Sequence, residues 1–141
     1  MIADMQKWTP NIASIIEHAN QFHPNTEVVS RMVSGNIHKT NYSEVCTRSR
    51  MLASALEKDG YKEGDVIATL ALNTYRHLEM YYGISGMGGI NHTLNFRLHP
   101  EQAVYIINHA EDKVIFCETP FIPILEGLQA VSYTHLRAHE T

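Results

Sequence analysis

The sequence has only two cysteines, Cys46 and Cys117, far apart and without Cys-x-x-Cys spacing. That scarcity excludes a disulfide scaffold and points to a reducing, intracellular setting. No run approaches the roughly 20 consecutive apolar residues that a membrane-spanning helix needs. The start, Met1-Ile2-Ala3-Asp4-Met5-Gln6-Lys7, lacks the basic residues and apolar core of a secretory signal. Blocks of like charge are missing, and a formal net charge of −4 gives no general attraction to nucleic acid or anionic lipid. Internal repeats, low-complexity tracts and linkers are missing as well. The expectation is a cytoplasmic protein with no integral membrane segment and no nucleic-acid partner; a peripheral membrane association stays open.

The chain has 141 residues, enough for one domain or part of a larger one with a useful core. Thr9 with Pro10 predicts a helix start, Thr9 as cap and Pro10 in the first turn. Ile12, Ile15, Ile16, Ala19 and Phe22 follow at helical spacing. Residues 27–33 predict a strand, Gly35-Asn36 a two-residue hairpin turn and residues 37–39 the returning strand. Asn41 with Glu44 has the capping-box spacing, and the helix after it carries Val45, Leu52, Ala55 and Leu56 on one side up to Gly60.

Gly64-Asp65 then turns the chain into the apolar run 66–72, as expected for a strand covered on both faces. A helix from about Thr74 would bury Leu78, Tyr81, Tyr82 and Ser85. Ile90-Asn91-His92 predicts a short strand, and Pro100 a helix with Val104, Ile107 and Ala110 inward. Residues 113–117 predict a strand, and Thr119-Pro120 caps a helix carrying Ile124, Leu125 and Leu128. After the hairpin, strands and helices alternate. That pattern predicts an α/β fold, a mostly parallel sheet flanked by helices with an N-terminal β-hairpin.

The run 131–141, Val-Ser-Tyr-Thr-His-Leu-Arg-Ala-His-Glu-Thr, resembles the translation of a sequencing adapter. On that reading residues 1–130 are the natural part and 131–141 an adapter-derived tail. A real strand is the alternative, since Val-Ser-Tyr-Thr-His-Leu alternates passably.

Candidate sites compete with plainer explanations. Gly83, Gly86, Gly88 and Gly89 crowd together, but a phosphate-cradling loop must follow a strand and open a helix. Here the glycines close a helix and lead into a strand, so small residues packing the helix end close to the sheet is the better reading. Ser85 fails as a nucleophile elbow, because Met87 stands where Gly-x-Ser-x-Gly needs glycine. His18, His23, His38, His77, His92, His99 and His109 show no His-Glu-x-x-His or zinc-ligand spacing, so no metal ligands are assigned.

Asn73, Thr74, Tyr75, Arg76 and His77 follow the most apolar strand, and ligands gather at such strand ends in open parallel sheets. Arg76 or His77 could border a pocket there; helix capping by Thr74 and solvation of Arg76 explain the same residues more simply. Asn95 and Arg97 have a similar status. No catalytic or cofactor-binding residue is assigned.

Several stretches nevertheless resemble a known family. Thr40-Asn41-Tyr42-Ser43-Glu44-Val45 is similar to the first core motif of adenylate-forming, AMP-binding acyl-CoA synthetases. Residues 61–68, Tyr-Lys-Glu-Gly-Asp-Val-Ile-Ala, resemble that family's Val-x-x-Gly-Asp-x-Val-Ala element. Residues 82–95 resemble its second core motif, a glycine-rich helix end entering a strand. The resemblance covers residues 5 to 130. Residues 73–79, His92-Thr93-Leu94-Asn95, Pro100-Glu101-Gln102 and residues 108–112 look like the branch of medium- and long-chain fatty acyl-CoA ligases and 3-methylthiopropionyl-CoA ligases. Phe96 stands where proline is common in that branch, and His99 where phenylalanine is usual.

The resemblance implies a truncated N-terminal domain of a ligase that joins a carboxylic acid to CoA through an acyl-adenylate. It implies ATP, Mg2+ and CoA for the parent protein and, in some members, a homodimer. The family's phosphate loop, metal-binding acid, ribose-binding aspartate and C-terminal lysine all lie beyond this sequence, so the fragment is expected to be inactive and to bind none of these groups. The alternative is a stand-alone α/β binding or interaction module.

Overall fold

The computed structural model describes residues 8–129 and the backbone of residues 137–140. Helix α1 (Ala13–Phe22) leads to strands β1 (Glu27–Arg31) and β2 (Ile37–Asn41), helix α2 (Tyr42–Lys58) and strand β3 (Val66–Leu70). Helix α3 (Tyr75–Gly86), strand β4 (Ile90–Thr93), helix α4 (Pro100–Ala110) and strand β5 (Val114–Cys117) come next. A 3-10 turn (Thr119–Phe121), helix α5 (Ile122–Gln129) and strand β6 (Arg137–Glu140) end the chain.

Strands β1 and β2 form a separate antiparallel hairpin, and the other four form a sheet in the order β4-β3-β5-β6. Every pairing in that sheet is parallel. The chain steps from β3 to β4 on one side and then crosses back to β5 on the other. The point where the winding reverses lies between the carboxyl ends of β3 and β5, where doubly wound folds place their ligand crevice.

The sheet is covered on both faces, which explains why β3 and β5 read as unbroken apolar runs. On one face Ala68, Leu70, Ile115 and Cys117 pack under Val104 and Ile107 of α4 and Leu125 and Leu128 of α5. On the other, Ile67, Val114 and Phe116 meet Leu56 of α2 and Met80 and Ile84 of α3. A third cluster, Ile16, Val45 and Cys46, joins α1 to α2.

Several expectations change in detail. Helix α1 starts at Ala13 rather than at Thr9-Pro10. Asn11 sets that start: its side-chain oxygen accepts from the Ser14 N–H at 2.8 Å, and Ser14 Oγ donates to the Asn11 carbonyl at 2.6 Å. The hairpin turn is longer than two residues. Met32 N–H donates to the Asn36 carbonyl and Gly35 N–H to the Met32 carbonyl, both at 2.8 Å, leaving Val33-Ser34-Gly35 as the loop. Gly35 carries the positive φ of 85° that such a three-residue loop needs. The central strand pairs only over Val66–Leu70, not to residue 72.

The buried face of α3 also differs from the expected Leu78, Tyr81, Tyr82 and Ser85. Its buried residues are Glu79, Met80, Gly83 and Ile84. Gly83 sits against α2 rather than the sheet: a Cβ there would lie 2.9 Å from the Ser49 carbonyl oxygen. The capping box at α2 is half made. Asn41 Oδ1 accepts from the Glu44 N–H at 2.9 Å, while Glu44 Oε2 accepts from Thr40 Oγ1 instead of from the Asn41 backbone.

Candidate functional site

The segment between β3 and α3 has no regular backbone pairing, so other groups must satisfy it. Leu72 N–H donates to Glu118 Oε2 at 2.8 Å, and Glu118 N–H donates to the Leu70 carbonyl at 3.0 Å. Thr74 N–H donates to the Leu72 carbonyl at 2.8 Å. Glu118, just beyond β5, therefore ties the ends of β3 and β5 together at the reversal point.

This junction walls a cleft of about 480 Å³ whose lining includes Val28, Ser30, Asn73, Thr74, His77 and Thr93. The hairpin supplies the opposite wall and docks there through an aromatic stack, His38 over Tyr75 with ring centroids 3.9 Å apart. His77 does border the cleft. Its Nε2 lies 3.1 Å from Thr69 Oγ1, and Thr69 Oγ1 lies 3.4 Å from Asn91 Oδ1. Burial pushes His77 below its ordinary value, against a hydrogen bond to the Leu72 backbone and the nearby Glu118 charge.

Thr74 precedes α3 as expected, but its side chain makes no capping hydrogen bond. Arg76 points to a different cleft, of about 490 Å³, shared with Arg48, Leu52, Met80 and Phe116. Its Nε donates to the Tyr75 hydroxyl at 3.1 Å. Beside it, Arg48 Nε holds the buried Glu79 carboxylate at 2.6 Å. Asn95 and Arg97 do not join either cleft's described lining; Arg97 N–H donates to Asn95 Oδ1 at 3.0 Å in a local turn.

His92 also has a hydrogen-bond partner. Its Nδ1 faces both oxygens of Asp112, at 3.0 and 2.9 Å, tying the edge strand to the entry of β5. Burial raises the Asp112 carboxyl above its ordinary value, and His92 opposes that rise. Among the described residues no group of three or more His, Cys, Asp or Glu could hold a metal ion. Sequence reading missed Thr69, Asn91, Asp112 and Glu118. The one visible signal was Thr69, a hydroxyl inside an otherwise apolar strand.

The motif stretches lie at junctions and two of them bond to each other. Gly64 N–H donates to the Gly88 carbonyl and Ile90 N–H to the Asp65 carbonyl, both at 2.9 Å. Residues 16–140 match the AMP-binding enzyme family. The chain belongs to that family. It is 44% identical over 129 residues to the 3-methylmercaptopropionyl-CoA ligase of Ruegeria lacuscaerulensis, covering 92% of this chain and 24% of that one. It is 46% identical over 125 residues to the medium-chain-fatty-acid–CoA ligase of Ectopseudomonas oleovorans, covering 89% of this chain and 23% of that one. The chain thus spans about a quarter of the length of these AMP-binding relatives. Among solved structures, the N-terminal domain of FACL13 from Mycobacterium tuberculosis superposes with a TM-score of 0.82. That match covers 94% of this chain and 34% of that one at 17% identity, and shows a shared fold.

Proposed function

We propose that this chain is the N-terminal part of an ATP-dependent carboxylic acid–CoA ligase, and that the groups that react lie in sequence it does not hold. The observation that carries the reading is the 44% identity, over 129 residues, to a 3-methylmercaptopropionyl-CoA ligase. In the proposed reaction a carboxylate oxygen attacks the α-phosphorus of ATP, giving an acyl-adenylate and releasing pyrophosphate. The CoA thiol then attacks the acyl carbon, loses its proton and expels AMP. Medium-chain or longer fatty acids, or 3-methylthiopropionate, are the acids this reading favours.

The glycine-rich stretch does not fit the triphosphate of ATP. The glycine-rich stretch 83–89 closes α3 and so points no helix N-terminus at a phosphate. On this reading the catalytic, cofactor and metal residues belong to the rest of the parent, and the fragment's role is to frame the larger domain.

The same reading makes residues 1–130 the natural domain part and 131–141 an adapter-derived tail. Strand β6 does not argue against that, because backbone pairing with β5 is open to any extended segment. Sequencing the locus across codon 130 tests it. A cytoplasmic parent that forms a homodimer is a further expectation; no helix among the described residues is long and apolar enough to cross a membrane.

ATP–pyrophosphate exchange tests the assignment. The full-length parent should exchange label with at least one of these acids, and the present chain with none. Exchange by the present chain, or none by the parent with any acid, overturns it.

A further inference from the structure

The ring of His77 ties α3 to β3 through a hydrogen bond at Nε2, 3.1 Å from Thr69 Oγ1. As placed, the Asn91 amide turns its oxygen toward Thr69 Oγ1 at 3.4 Å and leaves Asn91 Nδ2 buried without a partner. Carboxamide oxygen and nitrogen are interchangeable in shape, so rotating the amide gives the buried N–H₂ an acceptor at the same contact. Thr69 then accepts from Asn91, and its own proton is free for His77 Nε2. A neutral imidazole has one donor and one acceptor, so an accepting Nε2 puts the ring proton on Nδ1. A single chain results: Asn91 donates to Thr69 on β3, and Thr69 donates to His77 on α3.

We infer that His77 is a positioning residue that locks the β3–α3 junction only as the neutral Nδ1–H tautomer, its orientation set by Asn91 through Thr69. With Glu118 holding the Leu72 N–H and the Thr74 N–H holding the Leu72 carbonyl, both polar groups of that residue are gripped, and Asn73 and Thr74 line the cleft wall beside His77. The inference does not rest on the ligase reading. Protonating His77 would turn the bond around, Nε2–H donating to Thr69 Oγ1, and would strand the Thr69 hydroxyl proton against the Asn91 N–H₂. The groups around the ring are Thr69 on β3, Asn91 and Thr93 on β4, and Val28, Val29 and Ser30 on the hairpin, all uncharged. Tyr75 and Tyr81 are its own helix's titratable neighbours in the cleft, His38 lies over Tyr75, and Glu118 supplies the nearby charge.

Long-range proton–nitrogen NMR of the histidine-labelled chain tests this, with the His77 ring identified by its loss in His77→Gln. At neutral pH Nδ1 should be protonated and Nε2 bare. Thr69→Val keeps the side chain's shape and removes the donor, so the ring should relax to a mixture of tautomers. Amide exchange at Thr74 should quicken about tenfold in the valine variant while Ala68 stays protected. An Nε2–H ring in the wild type overturns the proposal. So does a ring unchanged by Thr69→Val. His77→Ala is not needed, so a folding failure there leaves the test intact.

Discussion

The side chain of Asp112 is fully buried, and both its oxygens face the one His92 nitrogen. Removing that partner strands a carboxylate in a site of low polarity. His92→Ala should therefore cost about 3–5 kcal/mol in urea unfolding at neutral pH, and Asp112→Asn less. The sign of the pH dependence follows from the raised carboxyl. A folded acid that holds its proton more tightly than the unfolded one loses stability as pH rises from its ordinary 3.8 through the folded value. The alanine variant loses the opposing His92 effect, so its deficit should be larger at about pH 7 than at about pH 4. An equal deficit at both would contradict this. Gly83 makes a second residue-scale case. Gly83→Ala would force a methyl to within 2.9 Å of the Ser49 carbonyl and should cost about 1–3 kcal/mol, with Gly86→Ala, in open space, as the control.

At the scale of elements, alternation of apolar runs and helical stripes was enough to read a parallel sheet with helices on both faces. What it missed has physical reasons. The buried face of α3 contains Gly83, which has no side chain, and Glu79, which Arg48 neutralises at 2.6 Å. Neither registers as apolar, so the stripe shifted to Leu78, Tyr81, Tyr82 and Ser85. The Leu72 clamp was hidden because Glu118 lies 46 residues away and arrives only through the β3–β5 pairing. The cleft was partly legible, since a strand end in a parallel sheet marks the place even when it does not name the partners. The α2 start was legible because capping is local. Asn41→Ala should cost about 1 kcal/mol through loss of the bond to the Glu44 N–H, read as a lower urea midpoint.

For the whole molecule, apolar exposure is the telling feature. Trp8, Ile15, Phe22, Val29, Ile37, Met51 and Tyr105 are each more than half exposed. Scattered single residues need no explanation, but Ile12, Tyr81 and Ile90 also meet in one cleft beside the edge strand β4. If the chain is a quarter of a ligase, these surfaces belong under the remainder. The chain alone should then self-associate with rising concentration in sedimentation velocity, and a strict monomer throughout would weigh against the fragment reading.

The central claim, that the parent activates an acid as its adenylate, makes a demand on atoms that no other route shares. The full-length parent, given ATP, CoA and an acid labelled with oxygen-18 in its carboxylate, should return AMP carrying one labelled oxygen, together with acyl-CoA. Label in inorganic phosphate alongside ADP, or acyl-CoA formed with unlabelled AMP, would contradict it.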